Sequence, residues 1–176
     1  MKTGIISYSL TGNNEALAKG LAEALGAERI RILEDGRRST GTIMLDIAFG
    51  RTPAVKLSAE ADGRYDRLIF VGPVWMGRVA TPFRGCFRGL RSRVGAYAFI
   101  SISGGADGAG CNPRLTGELT RLLAKEPAAV VDMHIADLLP PEPKPRRKET
   151  SAYRLTQSDL RRLIAEAQAA LAGFLA

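Results

Sequence analysis

The chain is 176 residues long, 45% hydrophobic and 24% charged; it can bury a core but is short for two domains, so one domain over residues 1–176 is expected. Lys and Arg number 25 against 18 Asp and Glu, a net charge of +7 that admits acidic or nucleic-acid partners without choosing between them. Collagen-like, disulfide-scaffold and wholly disordered classes are excluded, and the two cysteines, Cys86 and Cys111, fit the reduced thiols of a cytoplasm.

One early lysine precedes the strand-length apolar run Gly4-Ile5-Ile6-Ser7-Tyr8, which meets Thr11-Gly12 almost at once and is too short for a signal-peptide core. No stretch approaches the ~20 apolar residues of a membrane span, so a soluble, cytoplasmic protein is expected. No internal repeat is present. After the first strand, Leu17, Ala18, Leu21 and Leu25 recur on one helical face until Gly26 stops the helix. Arg29-Ile30-Arg31-Ile32-Leu33 alternates as an edge strand does, and Ile43, Met44, Ile47 and Ala48 return to helical spacing.

Arg67-Leu68-Ile69-Phe70-Val71 is apolar after its first residue, as in a central parallel strand covered on both faces. Thr81-Pro82 then reads as a cap followed by a first-turn proline, with Phe83, Phe87 and Leu90 as the buried stripe. Ala96-Tyr97-Ala98-Phe99-Ile100 is a fourth strand. A glycine-rich loop follows, and Asn112-Pro113 opens a helix with Leu115, Leu119, Leu122 and Leu123 inward, ended by Glu126-Pro127. Ala129-Val130-Val131-Asp132-Met133 is the fifth strand. A Pro-rich basic connector over 140–150 carries Arg146-Arg147-Lys148, read as a solvated charge run. Thr156 and Asp159 have capping-box spacing, before a helix bearing Leu160, Leu163, Ile164, Ala167, Leu171 and Phe174.

Five strand and helix alternations predict a parallel sheet with helices on both faces and ligands beyond the carboxyl ends of the strands. Three loops should therefore carry function: Ser9 to Asn14, Pro73 to Ala80 and Ser101 to Asn112. The first joins hydroxyls, amides and a glycine to a helix N-terminus, where unpaired N–H groups and the helix dipole suit a phosphate. Neither GxxxxGK[ST] nor GxGxxG occurs, which argues against a Walker site and the usual dinucleotide fingerprint.

On these segments the sequence resembles the flavodoxin family. Tyr8-Ser9-Leu10-Thr11-Gly12-Asn13-Asn14 is similar to its hydroxyl-x-Thr-Gly-Asn-Thr phosphate loop, with Asn14 in place of the final Thr or Ser. Tyr65-Asp66-Arg67-Leu68-Ile69-Phe70-Val71-Gly72-Pro73-Val74-Trp75-Met76-Gly77 resembles its third strand and second flavin loop, and Phe99-Ile100-Ser101-Ile102-Ser103-Gly104-Gly105 a short, glycine-rich third loop. The resemblance implies a flavodoxin-like three-layer sandwich with a five-stranded parallel sheet of order 2-1-3-4-5, binding FMN. It implies that Ser9, Leu10, Thr11, Gly12, Asn13 and Asn14 surround the 5′-phosphate. Pro73, Val74, Trp75, Met76 and Gly77 would line the isoalloxazine, and Ser103, Gly104 and Gly105 its pyrimidine edge.

The function so implied is FMN-dependent redox, as an electron carrier with a redox partner protein or as an NAD(P)H-dependent reductase of a small flavin or quinone. No catalytic side chain and no metal is expected. The alternative is a binding module that uses the fold without flavin, for which the basic charge would serve nucleic acid; the intact loop chemistry counts against it. His134, placed away from the flavin loops, and the two cysteines are assigned no role.

Overall fold

Short β-branched and aromatic runs place the strands, and Gly72 and Gly104 directly follow two of the central ones. A computed structural model describes residues 1–34, 36, 39–59, 65–91, 93–104 and 113–176. Strands β1 (Thr3–Ser7), β2 (Glu28–Leu33), β4 (Arg67–Val71), β7 (Ala96–Ser103) and β8 (Ala129–His134) pair in parallel. With β3 (Lys56–Leu57), the order is β3-β2-β1-β4-β7-β8. Without β3 this is 2-1-3-4-5, as expected from sequence.

The sixth strand is the difference. Lys56 and Leu57 pair antiparallel with Leu33 and Ile32, covering part of the β2 edge that the sequence left open. A two-residue strand is too short for its alternation to register as a pattern, and covering an exposed edge limits pairing with other chains.

Alternation along the central strands divides the core. Ile6, Leu68, Phe70, Tyr97 and Phe99 face helices α3 (Thr81–Leu90) and α4 (Pro113–Leu123), which contribute Phe83, Phe87, Leu115 and Leu119. That layer is aromatic: the Phe70 ring meets Phe87, Tyr97 and Phe83 edge-on at centroid distances of 4.8, 5.8 and 6.2 Å, arrangements worth about 0.5–1.5 kcal/mol each beyond burial. The opposite layer is aliphatic. There Ile5, Ile69, Val71 and Ile100 pack on α1 (Asn13–Leu25) and α6 (Gln157–Leu175). Cys86 is buried in the aromatic layer, and burial pushes its thiol pKa up to about 12, so it is a packing residue and not a reactive thiolate.

Several boundaries move. Helix α2 (Thr40–Ala48) is capped by Ser39, whose side chain accepts the Thr42 N–H. Thr81 is the first residue of α3 and not its cap: the Ala80 carbonyl accepts the Phe83 N–H at 2.9 Å, so Ala80 takes the capping position. Strand β7 continues through Ser103, because β8 supplies partners as far as Ser103↔His134. Within the 140–150 connector, Arg147 starts a six-residue helix, α5 (Arg147–Ala152). The Thr156–Asp159 capping box is present, and the hydrogen bonds from Thr156 hold the Asp159 carboxyl below its usual range. Among the described residues no helix is long and apolar enough to cross a membrane.

Candidate functional site

At the β1–β4 switch the chain leaves β1 toward β2 on one side and later returns to β4 on the other, so the carboxyl ends of β1 and β4 open a crevice. The Tyr8 N–H still donates to the Val71 carbonyl, 3.0 Å away, one residue past β1. Ser9 Oγ accepts the Gly12 N–H at 3.0 Å, closing a turn. Gly12 has φ 97° and precedes α1 with no side-chain cap; in that left-handed region a Cβ would be strained. Its carbonyl accepts from Ala16. The main-chain N–H groups of Asn13, Asn14 and Glu15 find no acceptor among the described residues.

Both asparagine side chains are occupied structurally. Asn13 donates to the Tyr153 carbonyl at 3.0 Å and accepts the Leu155 N–H at 3.2 Å. Asn14 donates to the Ile102 carbonyl and accepts the Ile102 N–H, each at 2.9 Å. What faces outward is therefore the helix N-terminus with the exposed Thr11 and the hydroxyl hydrogen of Ser9. The one carboxylate in the first turn, Glu15, accepts from Ser7 Oγ and pairs with Arg29 and Arg31 on β2. Two guanidiniums offset its charge.

The second predicted loop is a hairpin. Strands β5 (Val74–Trp75) and β6 (Arg78–Val79) pair antiparallel across Met76 and Gly77, whose φ values of 52° and 71° are both positive, the requirement of the type I′ turns that match strand twist. Gly72, just before it, admits no side chain, since a Cβ there would lie 2.2 Å from the buried Phe83 ring. Trp75 is half-buried, its ring edge-on to Tyr8 at 6.1 Å, and the Tyr8 hydroxyl donates to Glu34 at 2.7 Å. Met76 is 65% exposed and Leu10 46%. Large apolar side chains thus stand open on both predicted loops.

Met76 is the non-glycine member of a turn that prefers Asn-Gly, and a left-handed residue with a long side chain costs about 1–2 kcal/mol. Met76→Asn is therefore expected to raise the unfolding free energy by about 1 kcal/mol, read as a higher urea midpoint. An unchanged or lower midpoint would mean that the Met76 side chain stabilises the fold from outside the core.

No protein-family profile matches the chain, and no curated protein does. Solved structures do. A flavoprotein of Lactobacillus acidophilus in complex with FMN is 20% identical, with a TM-score of 0.63 over 74% of this chain and 92% of that one. A candidate flavoprotein of Bacteroides eggerthii is 14% identical, with a TM-score of 0.62 over 94% and 96%. The strand order agrees with these likenesses. The chain has the flavodoxin-like fold.

The third flavodoxin-like loop is described only at its start. Ser103 ends β7, and exposed Gly104 accepts the Ala136 N–H at 3.2 Å, with buried Thr150 of α5 against it. Gly105 and Cys111 lie outside the described residues. The chain just after α5 is fixed beside the first loop, because Tyr153 and Leu155 hold Asn13, while Arg146, Arg147 and Lys148 are exposed. His134 is not remote either: it stands opposite Ser103 in register, with Asp132 Oδ2 3.4 Å from Nε2 and Asp137 Oδ2 3.6 Å from Nδ1, while Ser101 donates to Asp132. The period-2 spacing of Asp132 and His134 was the available signal, since it puts both on one face.

Proposed function

We propose that this chain binds FMN at the carboxyl edge of β1, β4 and β7 and works as a small redox protein that passes reducing equivalents from NAD(P)H to a flavin or quinone acceptor. The carrying observation is the set of N–H groups of Asn13, Asn14 and Glu15 left without acceptors among the described residues, at the end of a loop whose preceding residue, Tyr8, meets the half-buried Trp75. In flavodoxin, the type example of this strand order, FMN occupies this switch point, and the L. acidophilus protein of the same fold was crystallised with FMN. Ser9, Thr11 and those N–H groups would hold the phosphate. Trp75, Met76 and Gly77 would line the ring, and Gly104 leaves its pyrimidine edge open to main-chain contact.

Bound FMN supplies the hydride and electron chemistry. The protein's part is to fix the phosphate, exclude water with Leu10, Trp75 and Met76, and set the charge around the ring. That charge favours the reductase over the carrier. Arg78 is opposite Trp75 in the hairpin, and positive charge there favours the reduced, anionic cofactor. The visible spectrum of the purified protein with and without added FMN is the test: a saturable flavin band supports the reading, and its absence removes it.

Trp75 gives a second readout. Stacked on the ring, its emission is expected to fall strongly on FMN titration, and Trp75→Ala to weaken FMN by about 1 kcal/mol. Unchanged emission at saturating FMN would place the indole away from the ring.

A further inference from the structure

A groove of about 380 Å³ opens beside the hairpin, lined by Arg78, Arg114, Gly117, Glu118 and Arg121. Its walls follow from helical spacing, since Arg114, Gly117, Glu118 and Arg121 recur on one face of α4. Glu118 is buried and joins the two walls: its Oε2 accepts the Val79 N–H at 2.9 Å, and its Oε1 pairs with Arg84 at 3.3 Å. The groove's one carboxylate is thereby neutralised by a guanidinium outside it. Among the described residues, Arg78, Arg114 and Arg121 have no carboxylate within salt-bridge distance. Arg114 also lies in the first turn of α4, which has no acidic residue, where the helix dipole already disfavours a cation. Three uncompensated cations in one concavity call for an anion.

Size and position narrow the anion. The groove is open and Arg78, Arg114 and Arg121 are exposed, so it suits the charged end of a ligand and not a whole buried one. Arg114 and Arg121 stand about 10 Å apart along the helix at 1.5 Å per residue, and Arg78 of β6 lines the same groove. One pyrophosphate occupies about two of these guanidiniums; the third is left for a phosphomonoester, which carries about −1.5 to −2 at neutral pH. Through the Trp75–Arg78 pairing the groove is continuous with the proposed ring platform. Resting on the FMN reading above, we propose that the arginine groove between β6 and α4 binds the phosphates of the reducing nucleotide and selects NADPH over NADH through the 2′-phosphate.

The probes are 2′,5′-ADP and 5′-AMP, titrated calorimetrically into FMN-loaded protein at low salt, with FMN affinity measured separately by flavin fluorescence. Wild type is expected to bind 2′,5′-ADP at least about tenfold more tightly than AMP, a difference of one strong charge-assisted contact. The double variant Arg114→Gln, Arg121→Gln is expected to lose at least about tenfold of the 2′,5′-ADP affinity and to keep its FMN affinity. Gly117→Glu should do the same by placing a carboxylate among the arginines; a Cβ there meets nothing within 4 Å, and replacing a mid-helix glycine favours the helix. Equal binding of the two probes, or 2′,5′-ADP affinity unmoved by both changes, overturns the proposal. Polyglutamate binding that the variants abolish, with neither nucleotide bound, overturns it in favour of an acidic protein partner. If FMN does not bind while unloaded wild type takes up 2′,5′-ADP and the variants do not, the phosphate groove stands and the flavin reading falls.

Discussion

Riboflavin is expected to bind at least about a hundredfold more weakly than FMN. On the proposed reading the N–H groups at the start of α1, which lack acceptors among the described residues, would bind the phosphate that riboflavin lacks, and hydrogen bonds to a charged group are worth about 1.5–3 kcal/mol each. Losing two of them costs about 3 kcal/mol or more, and each 1.4 kcal/mol is tenfold in Kd. Thr11 adds a hydroxyl from an exposed position with no side-chain partner among the described residues. Thr11→Val should therefore weaken FMN about tenfold or more while changing stability by less than about 0.5 kcal/mol. Paired titrations of FMN and riboflavin into wild type and Thr11→Val measure both effects. Equal affinity for the two flavins would remove the phosphate from this loop.

The fold was legible because its signals are local and repeated. Buried runs such as Leu68-Ile69-Phe70-Val71, each followed by a helical stripe, leave one architecture, and the short turns among them resemble flavodoxin loops. What escaped was set by distance. Lys56 and Leu57 form a strand only because β2 offers an open edge 23 residues earlier, counting from Leu33. The groove needs Arg78 of the hairpin to meet Arg114 and Arg121 of α4, and the buried Glu118 that joins them reads in sequence as one more surface acid on a helix. Arg146-Arg147-Lys148 is exposed, as the sequence suggests, but nothing local tells that Asn13 fixes Tyr153 and Leu155, after α5, beside the first loop.

Asn14 is the position where this chain departs from the flavodoxin loop pattern, and the reason lies on β7. Strand β4 ends at Val71, and the Gly72 N–H makes the last main-chain bond to β7, at the Ile100 carbonyl. Two residues on, Ile102 directs its N–H and carbonyl to the same side, where β4 has nothing left to pair. The Asn14 amide takes that place, accepting one and donating to the other at 2.9 Å. A threonine or serine hydroxyl is too short to do both. Asn14→Ala would leave both buried groups without partners, at about 1–3 kcal/mol each, so a loss of about 3 kcal/mol in unfolding free energy is expected, or about 6–12 °C in Tm for a chain of this size. Since the same amide anchors the N-terminus of α1 against the end of β7, FMN should bind more weakly to the folded variant as well. Asn14→Asp keeps the acceptor for the Ile102 N–H but sets a carboxylate oxygen against the Ile102 carbonyl, and it should be no more stable than Asn14→Ala. Denaturant unfolding of the two variants decides the point: a loss below about 0.5 kcal/mol in both would mean that water replaces the amide and that Asn14 is not the extension of β4.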